Sequence, residues 1–165
     1  MRSVPPNWRP MTPADLGAVS RIAAQVHPDH PERDAVFAER LALWPRGCLV
    51  LEGAGDVRGY GLSHPWGPEP PALDTLLHAV PSAPEVYYIH DVALLPEARE
   101  GGAGSSVVAH LAEIADDMAL PLALVAVSGS APFWTRHGFA PVGAAGGSYG
   151  GGAVVMRRAL NTRPG

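Results

Sequence analysis

A run rich in Tyr, Ile and Val from Glu85 to Leu95 stops at Pro96, and Arg99-Glu100-Gly101-Gly102-Ala103-Gly104 then opens into a segment of helical period. A strand that ends in a glycine turn and restarts as a helix limits the folds open to the chain. Glycine lets the backbone approach a ligand closely, and the free amides at a helix N-terminus carry the positive end of the helix dipole. A pyrophosphate is favoured there, and Arg99 adds a direct charge. Two rival motifs fail on the letters. A P-loop needs Gly-Lys-Ser/Thr at the helix entry, whereas Gly104 is followed by Ser105. The dinucleotide fingerprint needs a third glycine where Val107 stands, inside a parallel βαβ repeat that is missing here. A plain helix start with glycine in its turn is the other reading of these residues.

The rest of the chain alternates helical and strand-like segments. Trp8 to Met11 begins a short strand, and Thr12-Pro13-Ala14-Asp15 supplies an N-cap, a proline at N1 and an acidic N3. Leu16, Val19, Ile22, Ala23 and Val26 then repeat at helical spacing until His27-Pro28, where the residue before proline leaves the helical region. A second helix is expected over Pro31 to Trp44. Cys48 to Glu52 and Val57 to Ser63 read as a hairpin around Gly53-Ala54-Gly55-Asp56. After a proline-rich loop and the strand Glu85 to Leu95, Val107, Leu111, Ile114 and Met118 share one helical face. Pro121 to Val127 reads as a buried strand, Ala131 to His137 as a short helix closed by Gly138, and Val154 to Arg158 as a last strand. The predicted order is β-α-α-β-β-β-α-β-α-β-β.

Composition narrows the function classes. With 165 residues, 47% of them apolar, the chain can bury one core and is expected to form one domain over 1–165, ordered from about 8 to 160. A net charge of -4 without Lys/Arg runs argues against nucleic acid as a partner. The lone Cys48 excludes an internal disulfide and a cysteine metal cluster. Apolar runs such as Leu120 to Val127 are too short to span a membrane, so a soluble, cytoplasmic protein is expected, with a homodimer left open.

The glycine turn, the strand segment Tyr88-Ile89-His90-Asp91-Val92-Ala93-Leu94 and the stretch Pro132-Phe133-Trp134-Thr135-Arg136-His137-Gly138-Phe139 occur in an order that resembles the GNAT superfamily of acyl-CoA-dependent N-acetyltransferases. The likeness covers about residues 8 to 160, and the Tyr88 to Leu94 segment is nearest to the arylalkylamine-type members. The resemblance implies an α/β (α+β) fold with a mixed, mostly antiparallel sheet, splayed fourth and fifth strands, and helices on both faces. It implies acetyl-CoA or coenzyme A as cofactor, with Arg99, Glu100, Gly101, Gly102, Ala103, Gly104 and Ser105 around the pyrophosphate. Val92, Ala93 and Leu94 then flank the acyl-pantetheine arm. The implied reaction moves an acetyl or similar acyl group to a primary amine, with a small molecule as the expected acceptor. A coenzyme A-binding module without catalysis and an enzyme acting on protein or peptide amino groups are the alternatives.

An amine attacking a thioester needs a base to neutralise it and a donor for the oxyanion. The donor expected here is a main-chain N–H of Val92 or Ala93. His90 is the candidate base by residue type, and a core histidine bonded to a carbonyl is its other reading. Strand alternation puts Tyr88, His90, Val92 and Leu94 on one face and Asp91 on the other, so Tyr88 is expected to gate the substrate beside His90. Trp134 departs from the family pattern, which often has an acidic tyrosine there; core packing with Phe133 and Phe139 is its expected role. His27-Pro28-Asp29-His30-Pro31-Glu32 invites a metal reading, but the prolines and the missing third ligand favour a solvated loop, so no metal is assigned. Asp29 or Glu32 would there attract a cationic amine, with Tyr149 closing the other side.

Overall fold

The computed structural model describes residues 4–160. Its strands are β1 (Trp8–Pro10), β2 (Cys48–Gly53), β3 (Asp56–Trp66), β4 (Val86–Leu94), β5 (Leu122–Ala126), β6 (Ala140–Ala144) and β7 (Val154–Arg158). Its helices are α1 (Leu16–Val26), α2 (Asp34–Leu43), α3 (Ala103–Asp117) and α4 (Ala131–Arg136). The strands form one seven-stranded sheet in the order β1-β2-β3-β4-β5-β7-β6, in which only β4 and β5 run parallel. The expected mixed, mostly antiparallel sheet is present.

Both faces are covered because the strands are apolar on both sides. On one face α1 and α2 bury Val19, Ile22, Phe37 and Leu41 against Val50, Tyr60, Leu62 and Ala93. On the other, α3 and α4 bring Val107, Leu111, Ile114 and Trp134 onto Tyr87, Ile89, Leu122 and Leu124. The helical period of α3 follows from these contacts, and no helix among the described residues is long and apolar enough to cross a membrane.

Two boundaries differ from the sequence expectation by three residues. The second helix starts at Asp34 instead of Pro31, which frees Pro31-Glu32-Arg33 to form a loop over the sheet. β3 extends through His64 and Pro65 to Trp66, beyond the predicted end at Ser63. β2 pairs with β3 only as far as Leu62, so Pro65 stands where one side of β3 has no partner and its missing N–H breaks no ladder bond.

The parallel pairing of β4 with β5 is short, joining Tyr87, Tyr88 and Ile89 to Leu122, Ala123 and Leu124. Beyond that point the two strands separate. The pairing of β4 with β3 also slips there: Leu62 faces Asp91 while the next residue, Ser63, faces Ile89, so His90 is the extra residue of a β-bulge.

Candidate active site

The bulge inverts the face of every later residue on β4. Tyr88 and His90 point toward the α1–α2 side, as alternation requires, but Asp91 and Ala93 then follow on that same side. Val92 and Leu94 pack on the opposite side with Tyr87 and Ile89. This corrects the expectation of one shared face for Tyr88, His90, Val92 and Leu94, and of an opposite face for Asp91. A single inserted residue flips a strand of period two, and no feature of the letters marks the insertion.

Where β4 and β5 part, a cleft of about 590 Å³ opens, lined by both strands, the glycine turn and α4. Val92, Ala93, Leu94, Arg99, Gly102, Gly104 and Ser105 lie on its wall. Glu100, Gly101 and Ala103 belong to the same turn but are not part of that wall. Gly101 (φ 90°) and Gly102 (φ 79°) adopt the left-handed conformation that turns the chain into α3. The first bond of α3 runs from Ser106 N–H to Gly102 O, which leaves the amides of Ala103, Gly104 and Ser105 for a ligand. Arg99 donates from Nε to Leu94 O at 3.1 Å and bounds the cleft at its exposed edge. At the glycine-turn end, Ser105 Oγ lies 3.2 Å from His137 Nε2, and Arg136 stands over the Phe133 ring. Trp134 is packed between Phe133 and Phe139, as expected of a core residue.

A second, smaller chamber of about 50 Å³ adjoins the cleft and shares His27, His90 and Asp91 with it. Its remaining wall includes His30, Glu32 and Tyr149. Two imidazole–carboxylate pairs meet at this junction. His90 Nε2 lies 2.7 Å from Glu32 Oε1, and His27 Nε2 lies 2.8 Å from Asp91 Oδ1. The Tyr60 hydroxyl donates to the second Asp91 oxygen. A carboxylate only accepts, so in each pair Nε2 carries the hydrogen, and the Nδ1 atoms of His27 and His90 are buried without a partner.

Charge is unevenly placed among these groups. Burial opposes ionisation of Asp91, yet the bonds from His27 and Tyr60 outweigh it and hold the carboxyl below its ordinary range. Burial likewise opposes ionisation of Glu32, and the bond to His90 again wins. Burial disfavours the His27 cation, but Asp91 overcomes this and raises its pKa. Beneath the chamber, burial lowers the pKa of the Arg40 guanidinium, which is 1% exposed and bonded to Glu39 and Thr75 O, against the opposing charges of Glu32 and Glu39.

Tyr88 lines neither cavity. It is 1% exposed, tilted against His64, with its hydroxyl 3.3 Å from that of Tyr149. Burial, followed by the neighbouring Tyr149, keeps it protonated well above its ordinary range. Tyr149 does border the chamber; its hydroxyl donates to Pro71 O at 2.8 Å, and His30 Nε2 lies 3.1 Å from its carbonyl. Asp29 is not part of the chamber wall, whereas Glu32 is. No metal-ligating cluster occurs among the described residues. The sequence reading missed His27, Tyr60, Arg40, Arg136 and His137. His27 had a signal in its place between the end of a helix and a proline, and Arg136 and His137 in the stretch that carries the family likeness.

His64 supplies a stability test. Burial lowers its pKa to about 3 against the opposing pull of the bond from Nδ1–H to Pro65 O at 2.9 Å, so the folded protein holds the ring neutral. The unfolded chain binds a proton below the ordinary value of 6.5, so this contribution is whole above pH 6.5 and drains as pH falls toward 3. The full loss is on the order of 5 kcal/mol. The melting temperature is therefore expected to fall between pH 6.5 and 4.5, and His64→Phe to flatten that slope. An unchanged slope in the variant would assign the acid sensitivity to other groups.

The acetyltransferase (GNAT) family model matches residues 16–139, more than half of the chain. The chain belongs to this family and is an acyltransferase whose cofactor is acetyl-CoA or coenzyme A. The residues fit that cofactor: a glycine turn with free amides at one end, and at the other a cleft between parted strands, open to the β4 backbone. No curated protein matches the chain significantly. Among solved structures, the GphF GNAT-like decarboxylase in complex with isobutyryl-CoA superposes with a TM-score of 0.78 at 18% identity, over 93% of this chain and 99% of that one. The loading GNATL domain of CurA from Lyngbya majuscula also gives 0.78, at 14% identity over 93% and 97%. Ard1 from Thermoplasma volcanium gives 0.73 at 19% identity over 94% and 97%. At these identities the likeness is one of fold.

Proposed function

We propose that the protein transfers an acetyl or similar acyl group from acyl-CoA to a small primary amine, with His90 as the base. One observation carries this reading: His90 stands on the wall common to cleft and chamber, with Nε2 held by Glu32 and Nδ1 free. Glu32 fixes the ring tautomer, so the lone pair that takes a proton from the amine is on Nδ1. Glu32 and Asp91 draw the cationic acceptor into the chamber. A thioester bound in the cleft would meet the β4 backbone at Val92 and Ala93, whose edge facing the opening would supply the oxyanion donor. Gly102, Gly104 and Ser105, with Arg99, hold the pyrophosphate. Tyr88 acts behind Tyr149 as its support.

The small-amine reading, rather than a peptide acceptor, is favoured by the closure of the chamber. Tyr149 is tied to Pro71 and His30, and Ser148 Oγ accepts from Leu73 N–H at 2.8 Å, so loops cover the side where a peptide would need an open groove. Structures named for the NatB acetyltransferase complex and for Naa20 with a bisubstrate analogue share the fold, which keeps peptides in the test. The kinship with arylalkylamine-type members rests on His90 alone.

The test measures thiol release from acetyl-CoA with a panel of small primary amines, including arylalkylamines, and with peptides bearing free N-termini. Turnover with amines but not peptides is expected. Release with peptides only would replace the acceptor class, and coenzyme A binding without release to any acceptor would reduce the protein to a binding module.

A further inference from the structure

Breaking a thioester leaves a thiolate, which departs more readily when an acid protonates it. The ionisable side chains on the cleft wall are His27, His90, Asp91, Arg99, Arg136 and His137. The guanidinium groups keep their protons, and Asp91 is held as a carboxylate. His137 sits at the glycine-turn end beside Ser105, and burial, with Arg136 and Arg158 nearby, lowers its pKa. His90 is committed to the base role. One acid remains.

We infer that His27 is the general acid of the reaction, donating its Nδ1 proton to the departing sulfur of coenzyme A, with Asp91 and Tyr60 as its positioning residues. This rests on the acyltransfer reading above. The placement has three supports. His27 lies on the wall shared by cleft and chamber, so it reaches the thioester side as well as the acceptor side. It is the C-cap of α1, with its N–H bonded to Ala23 O at 2.8 Å, where the negative end of the helix dipole favours an imidazolium. Its Nε2–H is taken by Asp91, which is itself fixed by Tyr60, so Nδ1 is the nitrogen left to give a proton. Asp91, Glu32 and Arg99 are the charges that face the ring, with His90 beside Asp91 on β4; the two carboxylates outweigh the guanidinium. The bulge at His90 is what allows consecutive strand residues to serve both pairs, one holding a base and the other an acid.

The proton count closes. The acceptor enters as an ammonium and loses a proton through His90 to solvent before its nitrogen attacks the carbonyl carbon. When the tetrahedral intermediate collapses, the C–S bond breaks with its electron pair on sulfur, and the Nδ1 proton of His27 makes the thiol. The second proton shed by the nitrogen replaces the one His27 has given. Products are the amide, the free thiol and one proton in solvent.

Two measurements test this. The first needs no turnover: the His27 ring nitrogens are titrated by NMR in the free protein. Protonation at neutral pH, with loss of the proton only above the ordinary imidazole range, is expected, and Asp91→Asn should move that titration downward. A His27 ring neutral at pH 7 overturns the proposal. The second compares the pH profile of kcat for wild type and His27→Gln, using acetyl-CoA and the best amine of the panel, with coenzyme A affinity measured alongside. The variant should bind coenzyme A normally, lose roughly 10²-fold in kcat at neutral pH, and lack the alkaline decline that deprotonation of His27 imposes on the wild type. A folded His27→Gln that keeps its rate or its alkaline decline overturns the proposal while leaving the acyltransfer reading intact. Absence of release with every acceptor instead removes that reading, and the NMR titration still decides whether His27 is the held cation claimed here.

Discussion

His90→Gln is expected to lower turnover with an amine acceptor by roughly 10²-fold to 10⁴-fold at neutral pH, with little change in coenzyme A affinity. Glutamine keeps a donor that can meet Glu32, so the 2.7 Å contact and the fold should survive, while the lone pair of Nδ1 is lost. The deficit should shrink as pH rises, because the amine then loses its proton to solvent and a base becomes redundant. Glu32→Gln separates positioning from structure. It retains partners for His90 and for the Asp74 N–H, which Glu32 now accepts at 3.0 Å, but removes the charge that draws the amine and fixes the tautomer. Its effect should therefore fall on both KM and kcat, whereas that of His90→Gln falls on kcat. Near-normal turnover of a folded His90→Gln with the true acceptor would return His90 to the role of a core histidine.

Much of the fold was legible because its signals are local. The apolar stripe of α3, the glycine turn before it and the proline that ends α1 each act within a few residues, and these elements appear where the sequence places them. β6 was counted but not located, since Ala140–Ala144 is exposed and carries no alternating apolar pattern. The site was legible only in part. Arg99 to Ser105 form a contiguous motif, and His90 stands out by residue type. The pairing of His90 with Glu32 spans 58 positions and that of His27 with Asp91 spans 64, and the second depends on a bulge that no residue type announces. Alternation, correct as far as His90, gave the wrong face for Asp91, Val92 and Leu94. The same error concealed the second imidazole–carboxylate pair, because Asp91 was placed away from the α1–α2 loop that holds His27.

Gly104→Val is expected to abolish most coenzyme A binding while the free protein still folds. Gly104 is the second residue of α3 and sits on the cleft wall, and its conformation is not one reserved for glycine. Space is what limits the residue there to a small one. A Cβ at this position would lie 3.2 Å from Leu94 Cδ1 and 3.5 Å from Phe133 Cζ. The first contact is with the flexible end of a leucine, which can give by a few tenths of an ångström, so Gly104→Ala should bind nearly as wild type. It should also gain about 0.4–1 kcal/mol in the free protein, since alanine loses less entropy than glycine on folding. Valine adds two methyl groups that Leu94 and Phe133 cannot both clear without moving into the cleft beside the free amides of the turn. A hundredfold loss of affinity has a definite thermal signature. At a ligand concentration 100 times the wild-type Kd, coenzyme A stabilises the wild type by about 2.7 kcal/mol, and the same concentration would stabilise the variant by only about 0.4 kcal/mol. The thermal shift should accordingly persist in Gly104→Ala and nearly vanish in Gly104→Val. Equal shifts in all three proteins would mean that the pyrophosphate lies elsewhere than on this turn.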